Sequence, residues 1–138
     1  MINNTDVARL VSISKNISVL YVEDDDFIRA QMTNLLADIF DDLKEAKNGK
    51  EAIEILRTDS IDIVITDVVM PVMDGLELVK NIKSEKFESK IVIMSAVEDV
   101  DLEKFEKAGV DAFVPKPIEP SRLFTILLSL CSLKSPKN

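Results

Sequence analysis

Short apolar runs alternate with helix-like spacings of hydrophobic residues along most of this chain. A strand that is covered on both faces of a sheet carries apolar side chains in both directions, so such runs predict buried strands. One further strand is weaker and carries charged residues. The five predicted strands are Ile17–Val22, Leu43–Ala46, Ile61–Thr66, Ile91–Met94 and Val110–Val114.

Each predicted strand is followed by a segment with the spacing of an amphipathic helix. Turn and capping residues mark the element boundaries: Asn48-Gly49 for a turn, Asp74-Gly75 for the start of the third helix, Gly109 for the end of the fourth, and Pro120 for the first turn of the last, Ser121–Leu133. Five consecutive β/α pairs predict an α/β fold in which helices cover both faces of a parallel sheet.

The composition excludes several classes of function. Lys and Arg total 17 and Asp and Glu total 25, which gives a net charge of −8 and argues against a nucleic-acid-binding surface or a polybasic membrane anchor. The chain contains no histidine, so Ser-His-Asp catalysis and His-ligated metal sites are excluded. Neither GxxxxGK nor GxGxxG occurs, which argues against P-loop NTPases and Rossmann dehydrogenases.

The segments outside the β/α pattern are short. Residues 1–15 are predicted to form an N-terminal extension without a secretory signal pattern, residues 16–133 a single domain, and residues 134–138 a tail. The longest apolar stretch, Leu123–Leu133, falls short of the roughly 18 residues that a membrane helix needs. The single cysteine, Cys131, is expected to be a buried, reduced thiol, and we expect a cytoplasmic protein.

Side chains that could bind a metal or take part in a reaction lie at the carboxyl ends of the predicted strands, where open α/β sheets bind ligands. Glu23 and Asp24 follow the first strand, Asp67 the third, Ser95 the fourth and Lys116 the fifth. Neighbouring strands would bring the three carboxylates together, and crowded like charges are costly unless a cation compensates them. Mg²⁺ suits such a rim, because it prefers carboxylate oxygens and water.

An acidic run after a strand is also typical of a solvated helix N-terminus, and for residues 23–26 alone both interpretations stay open. Asp25 and Asp26 suit the cap and the first turn of the next helix. Asp67 differs from them because apolar residues surround it on both sides, where a charge is costly unless it is used.

These residue types suit phosphoryl transfer. A carboxylate such as Asp67 can act as a nucleophile and form an aspartyl phosphate, while Lys116 and Ser95 would supply a positive charge and a hydrogen-bond donor. The Lys116–Pro117 bond is a candidate cis peptide that would aim the ammonium over this rim. A solvated lysine in a proline-rich turn and a strand-end serine without a role are the alternatives.

Residues 17–131 resemble the receiver domain of two-component response regulators. The motifs that carry the resemblance stand in order at the ends of strands one, three, four and five: Val22-Glu23-Asp24, Asp67 with Met70-Pro71 and Asp74-Gly75, Ser95-Ala96, and Phe113 with Lys116-Pro117. The resemblance implies a flavodoxin-like, doubly wound (βα)5 fold with a five-stranded parallel sheet in the order 2-1-3-4-5.

The resemblance also implies a magnesium-dependent phosphorylation site. Asp67 would be the phosphoacceptor, and it would ligate Mg²⁺ directly together with Asp24. Glu23 would act on the ion through water, and Val69 would contribute its backbone carbonyl. The phosphoryl group would come from a histidine kinase or a histidine phosphotransfer protein. The chain would then catalyse only its own phosphorylation and dephosphorylation.

A second group of implied roles concerns the phosphoryl group and the conformational switch. Ser95 and Lys116 would contact the phosphoryl group, and Phe113 would be the aromatic switch residue. Phenylalanine lacks the hydroxyl of the tyrosine that often stands there, so any switch would depend on burial of the ring.

Three other functions compete with this interpretation. A phosphatase of the haloacid dehalogenase type needs a second Asp two residues after its nucleophile, where this chain has Val69. A flavodoxin-like binding module needs a hydroxyl-rich phosphate loop after the first strand, where this chain has four acidic residues. A degenerate receiver would be a pure interaction module, but every site position is filled.

The last helix is apolar around roughly 220° of its circumference, whereas a helix that packs on a sheet needs a stripe of about 100°. Some of these side chains are expected to remain exposed and to form a homodimer or partner surface with the fourth helix and the fifth strand. Packing under the N-terminal segment is the alternative. The residues are Leu123, Phe124, Ile126, Leu127, Leu128, Leu130, Cys131 and Leu133.

Overall fold

The computed structural model describes residues 16–96, 98 and 100–132, so the predicted extension, the tail and Leu133 lie outside the described residues. Strands and helices alternate along the described chain. The strands are β1 Ser18–Val22, β2 Asp42–Ala46, β3 Ile63–Asp67, β4 Lys90–Ser95 and β5 Ala112–Pro115. The helices are α1 Asp26–Ala37, α2 Gly49–Thr58, α3 Gly75–Ser84, α4 Leu102–Ala108 and α5 Pro120–Ser132.

All strand pairs are parallel, and the strand order is β2-β1-β3-β4-β5, which confirms the predicted fold. The order reverses beside β1, so a crevice forms at the carboxyl ends of β1 and β3. Val22 pairs with Thr66 across these two strands. The residues that follow this pair, Glu23 and Asp67, therefore end neighbouring strands at the same level.

Two apolar layers cover the sheet, as the continuous apolar strands predict. One layer packs α1 and α5 against the face that carries Val19, Tyr21 and Ile65. The other packs α2, α3 and α4 against the face that carries Leu20 and Val64. Because side chains alternate along a strand, Tyr21 lies on the same face of β1 as Glu23, one step further from the carboxyl end.

The first residue of several helices is preceded by a polar side chain that caps the helix. Asp25 caps α1 and Asp74 caps α3, as expected, each accepting a hydrogen bond from a backbone N–H three residues later. The turn predicted at Asn48-Gly49 lies one residue earlier, because residues 47–48 connect β2 to α2. Asn48 caps α2 by accepting from the Glu51 N–H at 2.8 Å, and Gly49 is the first helical residue.

Two strands begin later than their apolar runs predict. The predicted third and fifth strands start at Ile61 and Val110, but β3 and β5 begin two residues further on. The reason is the aspartate inside each run. Asp62 accepts a hydrogen bond from the Ser18 N–H at 2.9 Å, and Asp111 accepts one from the Ile91 N–H at 2.8 Å. Each carboxylate caps a neighbouring strand.

The broad apolar face of α5 is only partly covered. Four of its side chains are buried in the layer beneath, among them the Cys131 thiol, as predicted: Leu123, Leu127, Leu130 and Cys131. Three others are half-buried at the margin of that layer: Phe124, Ile126 and Leu128. Within the described ranges, no helix has the length and apolar character needed to cross a membrane.

Candidate functional site

Asp67 is the last residue of β3, and both of its carboxylate oxygens have donors. Oδ1 accepts a hydrogen bond from the backbone N–H of Val68 at 2.7 Å. Oδ2 accepts one from Nζ of Lys116 at 2.8 Å. The residue is 9% exposed, so a carboxylate fixed in orientation stands at the surface of an otherwise apolar strand end.

Lys116 reaches this carboxylate from β5, which is not a neighbour of β3. The cis peptide predicted between Lys116 and Pro117 is present, and the Lys116 N–H donates to the Ser95 carbonyl at 2.9 Å. Ser95 ends the intervening strand β4 and is buried, and the small Ala96 follows it. The side chain of Lys116 thus passes the end of β4 where that strand carries small residues.

Glu23 follows β1 and is 2% exposed. Its Oε2 accepts a hydrogen bond from the Asp25 N–H at 3.1 Å, while its Oε1 lies 4.0 Å from Nζ of Lys116. Arg29 of α1 donates from Nη1 to the Glu23 carbonyl at 2.8 Å. The carboxylate is therefore enclosed from several sides and held beside Asp67 and Lys116.

Burial is the main reason why the pKa of Glu23 is raised to about 7. The Asp25 N–H lowers the pKa, the neighbouring Asp67 and Asp24 raise it, and Lys116 lowers it. One ammonium does not offset the effect of burial among carboxylates. A cation added at this rim would stabilise the ionised form.

The residues of this rim fit a magnesium ion. Oε1 of Glu23 is a buried acceptor that finds no hydrogen-bond donor among the described residues, and the water shell of Mg²⁺ would supply one. Asp24 is exposed, and in the part of the chain that the structure describes no three acidic side chains converge on one point. Binding an ion at this rim would therefore require these carboxylates to move closer together.

The loop after β3 approaches the phosphoacceptor candidate closely. A Cβ on Gly75 would lie 2.7 Å from the Asp67 carbonyl oxygen, and the Gly75 N–H donates to the Val68 carbonyl at 2.7 Å. Val69 and Val72 in this loop are exposed, and Val72 has a φ of 72°, which is strained for a β-branched residue. Val69 follows Asp67 by two positions in this loop, and the role expected for its carbonyl stays a prediction.

Phe113 lies on β5 opposite Ile93 and is half-buried. It lines an open cavity of about 110 Å³ between β5 and α4, together with Val100, Leu102 and Phe105. The ring thus has apolar space beside it, on the face of the sheet that also carries α2 and α3.

Two contacts at the site were not predicted from the sequence. The Val68 N–H orients Asp67, and Arg29 fixes the Glu23 carbonyl. A backbone donor leaves no sequence signal. Arg29 does leave a signal in the sequence. It is the first basic residue after the acidic run 23–26, and it lies in the first turns of the helix that this run caps.

Comparison with known proteins agrees with the fold. The family described as "Response regulator receiver domain" matches residues 19–128. The chemotaxis protein CheY of Halobacterium salinarum is 33% identical over 102 residues, which cover 73% of this chain and 85% of that protein. The chemotaxis protein CheY homolog of Campylobacter jejuni is 37% identical over 110 residues, which cover 76% and 85%.

A solved structure extends the similarity to the fold. The structure of the Vibrio cholerae chemotaxis protein CheY4, crystallised at low pH, has a TM-score of 0.74 and 27% identity, and the match covers 83% of this chain and 98% of that one. With the family match over most of the sheet and helices, this chain belongs to the receiver domains of two-component response regulators.

Proposed function

We propose that Asp67 accepts a phosphoryl group from the phosphohistidine of a histidine kinase or a histidine phosphotransfer protein. The observation that carries this assignment is the Asp67 carboxylate, which ends an apolar strand with Lys116 Nζ 2.8 Å from its Oδ2. In the transfer, a carboxylate oxygen forms a bond to phosphorus, the phosphorus–nitrogen bond breaks, and the imidazole leaves with its electron pair. The product is an acyl phosphate on β3.

Lys116 and Ser95 are proposed to stabilise the transferred group. The ammonium of Lys116 would move from the carboxylate to a phosphoryl oxygen, and the Ser95 hydroxyl at the end of β4 would donate a hydrogen bond to another. Such fixed donors stabilise charge that develops on the phosphoryl oxygens.

Receiver domains generally bind Mg²⁺, and we assign its site here to Glu23, Asp24, Asp67 and the carbonyl of Val69. The ion, when bound, would neutralise the charge on the phosphoryl oxygens during transfer. The buried Oε1 of Glu23, which has no donor among the described residues, supports the assignment. The same carboxylate would hold water in the ion's shell.

We infer that the chain catalyses only its own phosphorylation and dephosphorylation. A phosphatase that turns over needs an acid–base carboxylate near the acyl phosphate, and the residue two positions after Asp67 is Val69, an exposed apolar side chain. The acyl phosphate would be stored as a signal.

Exposed apolar side chains near the carboxyl ends of β1 and β3 would suit a helical phosphodonor partner: Phe27, Ile28, Val69 and Val72.

We propose that phosphorylation changes the surface formed by α4, β5 and α5, and that this surface transmits the signal to a partner. Phosphorylation adds nearly two negative charges, which would draw Ser95 towards the phosphoryl group and let Phe113 turn into the cavity beside α4. The half-buried margin of α5 would then bind a partner or a second copy of this chain, in the cytoplasm. Sedimentation at several concentrations, with and without phosphodonor, tests dimerisation. A monomer in every condition would contradict it.

Intact mass spectrometry after incubation with acetyl phosphate or phosphoramidate tests the phosphoacceptor. We expect one phosphoryl adduct in Mg²⁺, none in EDTA and none in Asp67→Asn. Asp74→Asn is a matched control, because Asp74 caps α3 on the same loop and should remain compatible with phosphorylation. An adduct that survives Asp67→Asn, or free phosphate released over many turnovers, would overturn the proposal.

A further inference from the structure

Two buried polar atoms lie on the same face of β1 without a hydrogen-bond partner in the described residues. They are the hydroxyl oxygen of Tyr21 and Oε1 of Glu23. Tyr21 is fully buried under α1 and α5, and Glu23 comes two residues later at the strand end. Because residues two apart in a strand project to the same side, both side chains extend from the face of β1 that α1 and α5 cover.

The two atoms are chemically complementary. A phenol supplies one donor, and a carboxylate oxygen is an acceptor. Buried polar groups are rarely left unpaired, and an enclosed water often links two that do not touch.

We propose that the Tyr21 hydroxyl is a positioning donor for Glu23 and that it acts through one enclosed water molecule on Oε1 of that carboxylate. This inference rests on the proposed function, because it concerns the orientation of a carboxylate assigned to the magnesium site. Oε2 is already held by the Asp25 N–H and the Glu23 carbonyl by Arg29. Tyr21 would complete the set and keep Oε1 turned towards Asp67 and Lys116.

Tyr21→Phe tests this role, because it removes the hydroxyl and keeps the ring in the core. We expect the dissociation constant for Mg²⁺ alone, measured by titration calorimetry, to rise roughly tenfold, as for loss of an outer-shell partner. In Glu23→Gln, adding Tyr21→Phe should change it by no more than about twofold. Ser89→Ala is the matched control, since it removes a buried hydroxyl at the opposite end of the sheet and should leave Mg²⁺ affinity unchanged.

No phosphodonor is present in this titration, so its outcome is separate from that of the mass assay on Asp67. Three results would each overturn the role of Tyr21. The first is failure of the natural chain to bind Mg²⁺, and the second is an unchanged dissociation constant in Tyr21→Phe. The third is a loss of Mg²⁺ affinity from Tyr21→Phe that is equally large in the Glu23→Gln background. A wild-type chain that binds Mg²⁺ but forms no adduct would overturn the proposed function instead.

A spectroscopic measurement covers the case in which Tyr21→Phe does not fold. Tyr21 is the single tyrosine, and the chain has no tryptophan, so ultraviolet-excited emission reports on this one hydroxyl. A phenol that donates towards a carboxylate has quenched emission, so Glu23→Gln should raise it. Glu103→Gln, on the surface of α4, should not. Equal emission from the natural chain and Glu23→Gln would refute the link.

Discussion

Lys116 Nζ donates to Oδ2 of Asp67 at 2.8 Å, although 49 positions and a whole strand separate the two residues. The strand order places β4 between β3 and β5, so the ammonium must cross the end of β4. It can do so because β4 ends at Ser95 and is followed by Ala96, and both side chains are small. The pair therefore joins three strand ends into one site.

Lys116→Met should slow phosphorylation of Asp67 by roughly a hundredfold, the usual cost of removing one fixed donor from developing negative charge. The rate is measured with phosphoramidate in saturating Mg²⁺ by the fraction of phosphorylated mass over time. Lys107→Met is the matched control, because Lys107 pairs with Glu103 on an exposed helix surface. Equal rates in Lys116→Met and Lys107→Met would show that the ammonium plays no part in the transfer.

Glu23 should make the metal-free chain less stable as the pH rises. Its pKa is raised from 4.5 to about 7, so the folded state binds this proton more tightly than the unfolded chain. The stabilisation is fully present below pH 4.5 and is lost as the pH rises through about 7. For the whole interval the loss amounts to about 3 kcal/mol.

Urea unfolding of the natural chain and of Glu23→Gln in EDTA measures this effect. We expect the stability difference between the two to shift in favour of the variant from pH 5 to pH 8 by roughly 2 to 3 kcal/mol. Mg²⁺ should reduce the shift, because it stabilises the carboxylate. Parallel stability curves for the two proteins in EDTA would contradict the assignment.

The alternation of elements and the residues at strand ends could be predicted from the sequence. Apolar periodicity separates strands from helices, and parallel strands necessarily bring their carboxyl ends to one edge. That is sufficient to place Glu23, Asp67, Ser95 and Lys116 along one rim. The cis bond before Pro117 could be predicted as well, because a tight turn between Lys116 and Pro117 would aim the ammonium over this rim.

The remaining features depend on contacts that residue spacing does not encode. Asp62 and Asp111 stand inside apolar runs, and only the paired strands reveal that they cap backbone donors. Phe27 fits the helical spacing of α1 yet is 70% exposed, because it projects away from the sheet near the helix start. The exposure of Asp24 likewise does not follow from residue spacing.

Gly75→Ala should destabilise the domain by about 2 kcal/mol and impair phosphorylation, because a Cβ at this position meets rigid backbone 2.7 Å away at the Asp67 carbonyl. Gly49→Ala is the matched control. Gly49 is likewise the first residue of a helix, but its Cβ would meet side-chain atoms of Met73, from Sδ at 2.8 Å to Cβ at 2.9 Å, and no backbone atom. Rotation of Met73 relieves only part of this contact, so we expect a loss of about 1 kcal/mol in urea unfolding, smaller than that of Gly75→Ala. Similar losses in both variants would mean that backbone contact is not the cause.

Val72→Asn should stabilise the domain by about 1 kcal/mol, because asparagine tolerates the left-handed backbone that valine resists. Val72 has a φ of 72° and is 75% exposed, so the change relieves backbone strain while removing little buried apolar surface. Lys86→Asn is the control, since Lys86 is also exposed at a φ of 62° but is not β-branched, and its gain should be about half as large. The measurement is urea unfolding followed by circular dichroism in EDTA, where the site contributes no metal binding. A gain at Lys86 that equals or exceeds the gain at Val72 would show that branching at Cβ does not strain this loop, and the β3–α3 connection would then hold its shape without cost to the fold.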